Sequence, residues 1–309
     1  MIAFVFKKFI SMALSLFFVV TLTFFFMKAI PGNPLLKDMS IPKEITDSLM
    51  VQYGFKKPIT EQYFSYLWQF LSGDFGKSLV HEGRSVKYII KEGFPVSLLL
   101  GIQSLAVAIS IGIGAGAFAA VKNKKWQDHC FTLVYSLGIS MPSFLIATLL
   151  QYFFSMKLNL FPTANFDTFN HTILPTISLA LLPTVFIAKL TRDNMVEMLQ
   201  KPFVKFALSK GISPRRLLFS HILRNSLLPI VGYVGPMSVS VITGSFVVEK
   251  IFGIPGLGTW LISSILSRDY PVIMGLTIFI STFLLLVIFI VDIMYYIIDP
   301  RLKLKKEYD

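Results

Sequence analysis

Phe203-Val204-Lys205-Phe206-Ala207-Leu208-Ser209-Lys210-Gly211-Ile212-Ser213-Pro214-Arg215-Arg216 stands between two runs that carry no charge, 172–188 and 226–248. Its local chemistry predicts two short helices. Gly211 suits the left-handed position at which a helix ends. Ser213 is an N-cap, and Pro214 suits the first position of the helix that follows. Leu217, Leu218, Ile222 and Leu223 give that second helix one apolar face. The result is a compact basic knob between two apolar runs. The same residues also suit a basic helix lying on anionic lipid.

Outward from this hairpin the chain is dominated by apolar runs. Of its 309 residues 54% are hydrophobic and 15% charged, against roughly 45–50% and ~25% in an ordinary soluble domain. A hydrocarbon core of ~30 Å takes about 20 apolar residues of helix to cross. Six runs meet that need: 9–29, 95–121, 131–155, 172–190, 226–248 and 272–298. The fold expected is all-α and polytopic, with about six transmembrane helices. Residues 1–94 form the first helix plus a segment (31–94) that is polar and aromatic by turns. Residues 95–309 form a five-helix core, whose loop 191–225 holds the hairpin.

The formal net charge is +12. The bases gather in short loops: Lys7 and Lys8, then Lys122, Lys124 and Lys125, then 189–224 and the tail. The loop 156–171, on the opposite side, holds only Lys157. Basic loops stay in the cytoplasm, so both termini and the hairpin are expected there and segment 31–94 outside. Clustering of this kind, without an aromatic-rich basic module, argues against nucleic acid as a partner. The first apolar run is longer than the ~7–15 residues of a cleaved signal core, so it reads as an uncleaved helix.

Motifs for bound chemistry are absent or fail on inspection. Leu71-Ser72-Gly73-Asp74-Phe75-Gly76-Lys77-Ser78 lacks the leading Gly of a phosphate-binding loop. Gly112-Ile113-Gly114-Ala115-Gly116 lies in mid-helix with no preceding strand, which rules out a dinucleotide fingerprint. Gly112 and Gly116 instead fall one turn apart, a spacing that admits a second helix closely. His81, His129, His171 and His221 lack metal spacing, and Cys130 is the only cysteine. No cofactor, metal site or catalytic group is expected. Asp292 is the only acid well inside an apolar run. It is either a gating group or an interfacial ion-pair partner two turns from the helix end.

Residues 204–229 resemble the cytoplasmic loop of permease subunits in ABC importers. That loop carries an alanine-bearing helix, a fixed Gly and a later Leu-Pro, here Ala207, Gly211 and Leu228-Pro229. Where the general pattern begins with Glu, this chain has Lys205 and Phe206, which removes any ion pair that Glu would make. The peptide-type group is matched by further segments. They are Ile30-Pro31-Gly32-Asn33-Pro34, then Pro58 with Gln62-Tyr63, then Gly73 to Ser78. Later come Val248-Glu249-Lys250-Ile251-Phe252-Gly253-Ile254-Pro255-Gly256-Leu257-Gly258 and Arg268-Asp269-Tyr270-Pro271. Val291-Asp292 and Asp299-Pro300-Arg301 complete the match. The chain is thus similar to B-type permeases of dipeptide, oligopeptide and nickel importers.

The resemblance implies a type I ABC importer permease fold in a bacterial inner membrane. It implies a second homologous permease, two cytoplasmic ABC ATPases and an extracytoplasmic binding protein as partners. ATP hydrolysis falls to the ATPases, so this chain is not itself an enzyme. Lys205, Ala207, Gly211, Ser213, Pro214 and Arg215 are the expected coupling residues. Pro255, Gly256 and Gly258 join Asp292 as gating or structural candidates. Peptide is the expected cargo, with nickel as the alternative. An ion-coupled secondary transporter is the rival class, and it would call for midplane charges and internal repeats.

Overall fold

The computed structural model describes residues 2–29, 57–81 and 83–298. The motifs at 30–34 and 299–301 lie outside these residues. Described segments are helical apart from turns and one isolated antiparallel bridge, Lys77 with Ser85. The helices are α1 (Ile2–Ala29), α2 (Ile59–Leu71), α3 (Val86–Val121), α4 (Trp126–Ser140), α5 (Ser143–Leu150) and α6 (Asn170–Leu199). They continue as α7 (Pro202–Ser209), α8 (Pro214–Leu217), α9 (Leu228–Ile251), α10 (Leu257–Ser267) and α11 (Tyr270–Ile298). Among the described residues four single helices are long and apolar enough to cross a membrane, and the number is six where each of two bent pairs counts as one span.

The bends have chemical causes. Pro142, with φ −60° and ψ 142°, separates α4 from α5, and the pair turns through 100°. A proline has no N–H to give and clashes with the preceding turn. The run expected as one straight span at 131–155 is therefore broken, and α5 continues into a π-helical turn, Gln151–Lys157. Pro175 and Pro183 sit inside α6 without ending it. Ser178 and Thr184 hydroxyls bond the carbonyls of Leu174 and Ala180 in that stretch, at 2.8 and 2.7 Å. Such bonds to the carbonyl four residues back satisfy hydroxyls buried in an apolar helix.

Two compact units divide the chain: Met1–Val96 with Pro255–Leu286, and Ser97–Ile254 with Val287–Asp309. In the second unit α6 is the central element, packed by α4, α5 and α9. Ala108, Ala180, Ile187, Ile230, Met237 and Val241 form its buried apolar core. Glycine permits closer approach than any other residue. A Cβ at Gly116 would stand 2.2 Å from the Ala188 carbonyl oxygen, and one at Gly112 would stand 2.9 Å from Ile187. A Cβ at Gly138 of α4 would lie 2.7 Å from Val185. Both α3 and α4 thus meet α6 across bare backbone.

In the first unit the segment after α2 is tied to the start of α11. The buried Asp269 carboxylate accepts from the Ser78 hydroxyl and, at 3.1 Å, from the Leu79 amide. The Ser78 oxygen in turn accepts from the Val80 and His81 amides, at 3.2 and 2.7 Å. Ser78, the last residue of the failed phosphate-loop match, is thus occupied in holding its own turn. Phe94 packs edge-on against Phe279 and Phe283, with ring centres 5.1 and 4.9 Å away.

Several helix limits differ from those expected; the first helix, for one, begins at Ile2. The second span begins at Val86 and runs through Pro95. The fourth continues to Leu199, because Thr191 and Met195 are fully buried and extend its packed face. The glycine-rich stretch 249–271 contains the eleven-residue α10. Gly256 there is the N-cap, while Leu257 and Gly258 are buried in the first turn.

Candidate functional site

The hairpin at 202–217 is built by its caps. Gly211 has φ +78°. Its N–H donates to the Leu208 carbonyl at 3.0 Å, and the Ile212 N–H donates to the Ala207 carbonyl at 3.2 Å. This crossed pair of bonds is the Schellman closure, which needs a left-handed residue at the first position beyond the helix. No atom lies within 4 Å of a Cβ placed on Gly211. Glycine is therefore present for its backbone angle and not for room. The Arg216 N–H then donates to the Ser213 hydroxyl oxygen at 3.4 Å, with Pro214 at the first helical position.

One side of the hairpin is anchored. Val204, Leu217 and Ile222 are buried with Ala120 of α3 and Met195 of α6, and Ala207 and Ile212 pack on that cluster. The hairpin therefore sits on the ends of two long helices. The other side is bare. Lys205, Lys210, Gly211, Ser213, Pro214 and Arg215 are exposed, while Ala207 is half-buried. Phe206 and Phe219 are 60% and 65% exposed. The Lys210 ammonium lies 4.5 Å above the Phe206 ring, a cation–π contact. The arrangement offers exposed aromatic and cationic groups on an anchored base.

The helix whose Met195 packs on the hairpin also carries half of a pair that sequence reading misses. Arg192 of α6 binds Asp128 of α4 through Nε–Oδ1 at 2.5 Å and Nη2–Oδ2 at 2.8 Å. Oδ2 of Asp128 also accepts the Lys124 amide at 2.9 Å, fixing a loop in which Lys124 has φ +63°. The partners are 64 positions apart, so no local pattern joins them. The only signal was an acid in the first turn of an apolar helix, a favourable place for one.

Other expected sites are scattered. Gly112 and Gly116 face α6, as described above. Pro255 is exposed, and Gly256 and Gly258 belong to the start of α10. Asp292 is half-buried in the last two turns of α11. Among the described residues no group of three His, Cys, Asp or Glu side chains gathers as a metal site.

Comparison with known proteins bears on this arrangement directly. Residues 112–304 match the binding-protein-dependent transport system inner membrane component family, and residues 1–100 match the N-terminal family that accompanies it. The chain belongs to this family of transport permeases. Its relatives include the dipeptide transport system permease protein DppB of Bacillus subtilis, 40% identical over 97% of this chain and 98% of that one. The oligopeptide transport system permease protein OppB of Haemophilus influenzae is 37% identical over 98% of this chain and 100% of that one. Among solved structures, the MetNI methionine ABC transporter in an inward-facing conformation covers 69% of this chain and 97% of its own matched chain. Its TM-score is 0.59 at 13% identity. That likeness carries the fold, the type I permease architecture. The permease is a multi-pass protein of the inner membrane.

Proposed function

We propose that this permease is one of two homologous membrane subunits of an ATP-driven peptide importer. It forms half of the translocation path and takes its motion from two ATPases on the cytoplasmic side. Near-full-length similarity to dipeptide and oligopeptide permeases carries the choice of cargo. An anchored hairpin with a bare aromatic and cationic outer side supports the mechanical half of the reading. Lys205, Ala207, Gly211, Ser213, Pro214 and Arg215 form the joint. ATP draws two ATPases together, each hairpin moves with its ATPase, and the long helices seated on it rock between outward-open and inward-open states. This is a two-state equilibrium that ATP and a loaded binding protein bias.

In this reading both termini and the hairpin are cytoplasmic, and the second permease is a different chain. Gly112 and Gly116 keep α3 and α6 moving as one piece. Asp292, Pro255, Gly256 and Gly258 shape the helix ends.

The test is uptake by the assembled importer, with its second permease, ATPases and binding protein, in proteoliposomes. ATP-dependent entry of labelled di- and oligopeptides is expected, and nickel entry is not. Entry driven by an ion gradient without ATP would place the chain among secondary transporters and end this reading. Entry of nickel alone would keep the mechanism and change the cargo.

A further inference from the structure

Helix α2 lies in the segment that hydropathy places outside the membrane, yet its faces are those of a helix resting in a lipid surface. Thirteen residues carry one charge, Glu61. Three arcs divide them at helical spacing. Tyr63, Tyr66, Leu67 and Phe70 are half-buried. Phe64, Trp68 and Leu71, at i, i+4 and i+7, are 67%, 72% and 75% exposed. Glu61, Ser65 and Gln69, at i, i+4 and i+8, form an exposed polar strip beside them.

The depth of α2 follows from what it touches on α1. The Tyr63 hydroxyl bonds Thr21 at 2.8 Å. The rings of Tyr63 and Tyr66 lie 5.4 and 5.5 Å from Phe24. Gln62 bonds Lys28, the basic residue in the last turn of α1. From Thr21 to Lys28 is seven residues, about 10 Å of helix rise. The contacts of α2 therefore reach about 10 Å down α1 from its Lys28 end. At that level α1 itself is bare: Leu22, Phe25 and Phe26 are 50%, 48% and 66% exposed. The Phe25 ring of this bare surface stacks on Tyr63 of α2 with centres 5.7 Å apart, and Phe64, next in the chain, begins the exposed apolar strip of α2.

We propose that α2 is an interfacial helix. Its Phe64–Trp68–Leu71 strip is seated in the acyl–headgroup boundary of the leaflet at the Lys28 end of α1, and its Glu61–Ser65–Gln69 strip faces water. Tryptophan and phenylalanine on one face and polar groups on the next are what that boundary selects. The occupant of the apolar strip is lipid, because the surface it extends is the lipid-facing side of a spanning helix. Docked there, α2 fixes the outer end of α1, whose spanning stretch is otherwise little buried.

The experiment uses the whole importer in lipid nanodiscs, with cysteines removed from every subunit, including Cys130→Ser here. A nitroxide is placed by Phe64→Cys, Ser65→Cys, Trp68→Cys, Gln69→Cys or Leu71→Cys, one at a time. Power-saturation spectra compare collision with oxygen and with a water-soluble nickel chelate. Labels at 64, 68 and 71 should favour oxygen by several-fold, and labels at 65 and 69 should favour the chelate. Equal access to the chelate on both strips would place α2 in water and overturn the proposal. Loss of access to both reagents at 64, 68 and 71 would mean a protein partner covers them. Chelate access that disappears on adding the binding protein would assign the strip to that protein. Either outcome also defeats the lipid assignment, and none of them bears on whether the importer carries peptides.

Discussion

Arg192 grips Asp128 with both arms of its guanidinium, and the carboxylate in turn fixes the Lys124 amide. The aspartate side chain is 6% exposed and the arginine 22%. The pair thus joins the α3–α4 loop to the last part of α6, two residues before Asn194, whose amide bonds the Ser226 carbonyl just ahead of α9. Arg192 also holds the Asp193 carboxylate at 2.8 Å, so loss of Asp128 leaves it one partner and costs about 1.5–3 kcal/mol. Asp128→Asn should lower the midpoint of thermal unfolding of the purified complex by several degrees. The exchange Asp128→Arg with Arg192→Asp should regain part of that loss, a coupling that a double-mutant cycle measures directly. Equal losses that simply add would show that the two groups act independently.

Gly211 is set by angle alone, which separates two kinds of substitution. A β-branched residue at φ +78° carries roughly 1–2 kcal/mol of backbone strain, and valine there should open the Schellman turn. Asparagine tolerates the left-handed region. Gly211→Val is expected to cut ATP-driven uptake at least fivefold while the permease still reaches the membrane. Gly211→Asn should retain most of the uptake, since open space surrounds the position. Equal activity of the two variants would remove the turn from the mechanism.

Gly116 and Gly114 are two residues apart on α3 and meet opposite surroundings. A Cβ on Gly116 would strike the Ala188 carbonyl, while one on Gly114 meets nothing within 4 Å. Gly116→Ala should therefore force α3 from α6 and destabilise the permease by about 1–3 kcal/mol, as overpacking does. Gly114→Ala should be neutral, or stabilising by up to about 1 kcal/mol through helix propensity. Melting temperatures of the two variants in one detergent decide the matter.

What could be read from the chain followed from local rules. The six apolar runs, the Gly211 stop and the Ser213-Pro214 start depend on neighbours within a few positions, and the structure has helices and caps there. Boundaries governed by tertiary packing were less legible. Thr191 and Met195 extend α6 because they are buried against other elements, which no window of sequence reveals. Helix α10 was hidden by Gly256 and Gly258, residues that read as loop formers although one caps the helix and the other begins it. The break at Pro142 is visible as a proline, but its 100° turn is not, because a membrane helix can also carry a proline without ending, as α6 does at Pro175. Asp128 with Arg192, and Ser78 with Asp269, are distant pairs that only folding brings together.

The Ser78–Asp269 contact makes the last case. Ser78 gives its proton to the carboxylate and receives two amide protons, from Val80 and His81. Asp269 also holds the Leu79 amide, and its own backbone follows Arg268, a non-glycine residue at φ +58°. All of the acceptors are buried or nearly so, and a lost bond to a charged group amounts to about 1.5–3 kcal/mol. Asp269→Asn puts an amide where the serine proton needs an acceptor. Ser78→Ala takes one donor from the carboxylate, which keeps the Leu79 amide, and strands two backbone amides as well, so it should be the more severe change. Trypsin cleavage at Lys77 or Arg84 in the assembled complex reports how often the turn opens. A rise of about tenfold is expected for Asp269→Asn, which corresponds to about 1.4 kcal/mol, with a larger rise for Ser78→Ala. The double variant should cut no faster than Ser78→Ala alone, because one contact cannot be lost twice. Unchanged cleavage in both single variants would mean that the turn is held by its backbone bonds, Ser78 to Arg84 and Val86 to Gly76, and that the carboxylate is incidental.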